Sequence, residues 1–146
     1  MSHYCNVELE LRDIDALVLA LLDMGFVRTE IEVHAMPQLL CGFEGDVRPE
    51  AAHVIIRRQH VGVSSNDLGF FKDSATGRLT AIISEYDKAD GHGRHGGPYE
   101  QAWVDRLSQA YAVRNSIKLG MRDGYGRVIK EERRADGSMY VRLGRG

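Results

Sequence analysis

Between Asn6 and Gly25 the apolar positions change their period, and this change most restricts the folds open to the chain. Val7, Leu9 and Leu11 alternate with Asn6, Glu8, Glu10 and Arg12, the pattern of a strand with one face buried and one face wet. Asp13 then offers an N-cap carboxylate, Ile14, Leu17, Val18, Leu21 and Leu22 follow at helical spacing, and Gly25 supplies a left-handed stop. A strand thus runs almost directly into a short helix. Leu19 and Ala20 carry the helix's apolar surface beyond one stripe, so either a second copy or another segment is expected to cover it.

The alternation then returns. Arg28 to Ala35 reads as a second strand that Pro37 breaks, Leu39 to Phe43 as a short third strand closed by Gly45-Asp46, and Ala52 to Arg58, after Pro49, as a fourth. Leu68 to Lys72, a turn over Asp73 to Gly77, and Arg78 to Tyr86 form a hairpin. Residues 88–98 hold four glycines and two histidines and no apolar side chain larger than alanine, which predicts a mobile surface loop. Pro98 then opens a long helix on which Trp103, Leu107, Ala110, Ile117 and Met121 recur, with Gly124 as its end. Val128 to Glu132 and Met139 to Leu143 close the chain as a hairpin around Asp136-Gly137.

The predicted fold class is α+β: a twisted antiparallel sheet with two amphipathic helices packed on one face, in the order strand, helix, strand meander, helix, strand, strand. The opposite sheet face is expected to be exposed. With 146 residues and 43% hydrophobic residues, the chain fits a single domain over 1–146. Nineteen Lys and Arg against 21 Asp and Glu leave a formal charge of -2, which removes the electrostatic signature of a nonspecific nucleic-acid coat or a polybasic membrane binder. The longest apolar stretch, Ala16–Leu22, is too short to cross a bilayer, and no signal peptide is recognisable. Cys5 and Cys41 form no metal or redox spacing and are read as a reduced pair. The expectation is a cytoplasmic protein with no membrane partner.

Met1-Ser2-His3-Tyr4, the segment Leu21-Leu22-Asp23-Met24-Gly25, Gly42-Phe43-Glu44-Gly45, Asp67-Leu68-Gly69-Phe70, and Gln109 to Ala112 with Asn115 occur in this order along nearly the whole chain. In these motifs the chain resembles the hypothetical chloroplast reading frame 35 family, also called domain of unknown function 1257. It departs from that pattern in a longer 88–98 loop and a more apolar first helix. The resemblance implies an α+β fold and a soluble accessory role, and it brings no catalytic residues.

His92 and His95 have a spacing that can hold one transition metal, but no third ligand stands at a diagnostic interval, so no metal site is expected. Gly91, Gly93, Gly96 and Gly97 precede a helix start, where bare N–H groups attract anions. With Arg94, His95, Tyr99, Tyr111 and Asn115 they outline a candidate site for a nucleotide-like anion, without any Gly-Lys-Ser/Thr motif. Tyr111 and Asn115 are equally suited to satisfying backbone groups, and that structural role is favoured.

Glu8 and Glu10 with Glu30 and Glu32 would share one exposed sheet face if the first two strands pair, giving a partner face balanced by cations such as Arg57. The tail sets seven Lys and Arg against four Asp and Glu over 122–145, but with only Tyr125 and Tyr140 it is a poor stacking platform, and nucleic acid is not expected. No nucleophile, paired-carboxylate or cofactor motif emerges. The expected function is non-enzymatic binding of a protein partner, with self-association into a homo-oligomer. The alternative is binding of a small nucleotide-like anion near 91–98 and the start of the second helix.

Overall fold

In the computed structural model, residues 3–9, 11–89, 98–122, 127–133 and 139–144 are described. The strands are β1 (Tyr4–Glu8), β2 (Ile31–Cys41), β3 (Val47–Ile56), β4 (Leu68–Lys72), β5 (Leu79–Ser84), β6 (Arg127–Arg133) and β7 (Met139–Gly144). The helices are α1 (Ile14–Asp23), the short α2 (Arg58–Val61) and α3 (Glu85–Ala89), and the long α4 (Gln101–Arg122); a 3-10 turn, Arg28–Glu30, precedes β2. Strands β1 to β5 form one antiparallel sheet in the order β1-β5-β4-β3-β2, and β6 pairs with β7 as a separate ribbon. This is the α+β architecture expected.

Local chemistry accounts for α1 and the β4–β5 hairpin. The Asp13 side chain accepts from the Ala16 N–H at 3.2 Å, and Gly25 takes φ 112°, the left-handed conformation that ends the helix. In the turn between β4 and β5, Asp73 Oδ1 accepts from the N–H groups of Ala75 and Thr76 at 2.8 and 2.9 Å. Gly77 closes the turn at φ 74°.

One sheet face carries Val54, Ile56, Leu68, Phe70, Ala81 and Ile83 into a core shared with Leu17 and Leu21 of α1 and Trp103 and Leu107 of α4. The two principal helices therefore lie on one side of the sheet. Of the surplus apolar surface of α1, Ala20 is buried in this core with α4, while Leu19 stays partly exposed. Arg114 on α4 forms a fork of two hydrogen bonds to Asp23 at 2.6 and 2.7 Å, and Lys118 pairs with Asp13.

The other sheet face is not left open, contrary to the sequence expectation. Leu40, Ala52, Ile55 and Ile82 form a second buried cluster there, with Tyr4 and Phe71 against it. Val33 pairs with Val54 and Gln38 with Ala52, so five steps along β2 match only two along β3. That bulge bends the outer half of the β2–β3 hairpin over the face. Pro37 lies among the unpaired residues of the bulge, where its missing N–H removes no ladder bond, so it does not break the strand as the sequence suggested. Pro49 falls in the second register shift, between Cys41↔Val47 and Leu39↔Ala51, and β3 runs through it.

Candidate functional site

The predicted acidic face does not assemble. Strands β5, β4 and β3 separate β1 from β2, so Glu8 lies at one edge of the sheet and Glu32 at the other, while Glu10 lies outside the described residues. Glu30 belongs to the 3-10 turn, where its carboxylate accepts from the Val27 N–H at 3.1 Å and pairs with His60 at 3.2 Å. Glu32 is bonded to Arg57 at 2.9 and 3.1 Å and to His34 at 2.8 Å. Partial burial pulls its carboxyl upward, but the bonds from Arg57 and His34 outweigh this and hold it below the usual range.

Of the predicted ligand residues, Arg94 and His95 lie outside the described residues, as does His92. Tyr99 is fully buried: its hydroxyl donates to the Val61 carbonyl at 2.6 Å, and its ring meets Trp103 edge-on at 4.9 Å. The Tyr111 hydroxyl accepts from the N–H groups of Arg12 and Asp13 at 3.2 and 2.9 Å, fixing the start of α1 to α4. Its structural role is thus the one observed. Tyr111 and Asn115 nevertheless line a common groove of about 530 Å³ between β1 and α4. Among the described residues its lining includes Glu8 and Asp105 and no Lys, Arg or His, the opposite of what a phosphate-bearing ligand needs.

A polar hub centred on Asp67 was not singled out from the sequence. This buried carboxylate accepts from Arg57 Nη1 at 2.8 Å, and from the N–H groups of Cys41 and Arg58, each at 2.7 Å. The Asp67 carbonyl accepts from the Tyr4 hydroxyl at 2.9 Å, and the Asp67 N–H donates to Cys41. Hydrogen bonding to Glu32, then to Asp67, holds the Arg57 guanidinium above its already high range, despite partial burial. Burial, then the Asp67 charge, raises the Tyr4 phenol. Every charge at the hub has a partner, so it fastens the bent hairpin to the β3–β4 connection and presents no free cation to a ligand. The signal was the Arg57-Arg58 pair at the end of one strand and Asp67 at the start of the next, which an antiparallel connection brings together.

Beside the hub, Leu39, Cys41, Val47, Arg57 and Arg58 line an open groove of about 520 Å³. Of the exposed large apolar side chains, Leu39 and Val47 line this groove. Val33, Met36, Leu39, Phe43 and Val47 all belong to the β2–β3 hairpin, with Met36 73% and Val47 67% exposed. Among the described residues no three His, Cys, Asp or Glu side chains converge on a metal-sized site, and no helix is long and apolar enough to cross a membrane. Comparison with family models, with curated proteins and with solved structures returns no match to this chain.

Proposed function

We propose that the protein is a non-enzymatic accessory protein that acts by binding protein surfaces, and that the apolar side of the β2–β3 hairpin joins it to a second copy of itself. The observation that carries this reading is the concentration of Val33, Met36, Leu39, Phe43 and Val47, all exposed, on one hairpin whose β2 is an edge strand. Water-facing apolar side chains gathered in this way gain stability when a partner covers them. A formal charge of only -2 offers little repulsion between copies. The hairpin replaces the acidic face as the proposed contact, because Glu8 and Glu32 stand at opposite edges. A cytoplasmic location fits Cys5 and Cys41 both being free thiols.

The test is sedimentation equilibrium of the chain and of the double variant Met36→Glu, Val47→Glu. Both positions are exposed, so the fold is expected to survive, as circular dichroism will check. The chain should sediment as a dimer or larger and the variant as a monomer. A monomeric wild-type chain, or a variant of unchanged mass, overturns the proposal. The anion reading draws less support, since Tyr99 is occupied with Val61 and the described lining of the β1–α4 groove is acidic.

A further inference from the structure

The β1–α4 groove combines three features. The first is an open strand edge. β1 ends the sheet order, with β5 on one side and, among the described residues, no strand on the other. The His3 carbonyl accepts from Glu85 at 2.7 Å and the Leu9 N–H donates to Leu79 at 2.9 Å, so odd-numbered residues direct their backbone groups toward β5. By the alternation of an antiparallel pair, Tyr4, Asn6 and Glu8 turn theirs outward. An added strand would find a ladder already in place.

The second feature is the wall facing that edge. α4 presents Ser108, Asn115 and Ser116 to the groove, and among the described residues none of these side chains has a hydrogen-bond partner. Beneath them, Val7, Leu9 and Val104 supply an apolar floor. An edge strand opposed by a helix across an apolar-floored cleft suits an extended peptide, whose backbone pairs with the strand and whose alternate side chains enter the cleft.

The third feature is charge. Glu8 and Asp105 line the groove, and among the described residues no Lys, Arg or His lines it. Glu8 pairs with Arg78 at 3.5 Å, and its side chain stays 71% exposed, so a basic partner can share this rim charge. We infer that the β1–α4 groove accepts an extended, lysine- or arginine-bearing segment of another polypeptide, which adds to β1 as a sixth strand. This surface is separate from the β2–β3 hairpin, at the opposite edge of the sheet, so either can fail without the other.

The experiment is selection of a random decapeptide library displayed on phage against the full chain, followed by fluorescence anisotropy of the enriched peptides. Enriched sequences should alternate apolar residues and carry Lys or Arg. Their affinity should fall by roughly tenfold or more on the charge-reversed variant Glu8→Lys, Asp105→Lys, and also on Asn6→Pro, which removes one outward N–H from the edge. Glu8, Asn6 and Asp105 are exposed, and unchanged melting will show that the variants fold; if Asn6→Pro does not fold, the charge-reversed variant alone decides. No enrichment, enriched peptides without cationic residues, or peptides indifferent to the charge reversal overturns the inference. So does a dimer of the chain that these substitutions dissociate, because the groove's occupant would then be a second copy.

Discussion

Replacing Gly69 by alanine adds one methyl group at the point where the bent hairpin lies on the second face of the sheet. Gly69 pairs with Ile55 on β3 and Ile82 on β5. A Cβ there would stand 2.7 Å from the Ala52 Cβ and 3.1 Å from each Leu40 methyl. Ordinary carbon contacts are about 3.5–4.0 Å, so the new methyl arrives roughly 1 Å too close to Ala52. The Ala52 Cβ is fixed to the backbone and cannot rotate away, and Leu40 is fully buried. Overpacking of this kind costs about 1–3 kcal/mol, while the smaller entropy of the unfolded chain returns about 0.4–1 kcal/mol. The net loss is therefore about 1–2 kcal/mol, or a melting temperature lower by roughly 2–8 °C. Urea denaturation should show a lower midpoint at unchanged slope. Adding Ala52→Gly to Gly69→Ala should recover about 1 kcal/mol relative to the sum of the single effects, because it removes the atom in conflict. A Gly69→Ala variant as stable as the parent, or a strictly additive double variant, would refute the packing argument.

Two further outcomes follow from polar contacts. Tyr111→Phe leaves the N–H groups of Arg12 and Asp13 without their acceptor and should cost about 1–3 kcal/mol in thermal melting; an unchanged melting temperature would show that the hydroxyl does not hold the start of α1. His53 accepts from the Lys72 N–H through Nδ1 at 3.0 Å, and burial, with the Lys72 charge adding to it, holds its imidazole below the ordinary 6.5. A depressed folded-state pKa means that this stabilisation is complete above about pH 6.5 and is lost as pH falls through the folded value. The wild-type chain should therefore lose more stability between about pH 7.5 and 5.5 than His53→Asn, which keeps an acceptor without the titration; parallel pH profiles would contradict this.

What the chain's residues determine alone is what neighbours in sequence can settle. Asp13 and Gly25 bracket α1 because a cap and a left-handed stop act within one turn, and Asp73 folds its turn with the next three residues. The period of the apolar positions also marks which sides of the two principal helices are buried, and in the packed chain both lie on one sheet face. Strand order obeys no such local rule. β1 pairs with β5, some seventy-five residues later, rather than with β2, and so Glu8 and Glu32 part company. Pro37 is a breaker in any short window, but β2 carries it in a bulge at a sheet edge, where no ladder bond is at stake. The Asp67 hub, the covered second face and the β1–α4 groove were likewise decided by contacts between distant segments. Periodicity reports that a side chain is buried, whereas only the packed chain selects which surface buries it and which edges stay open.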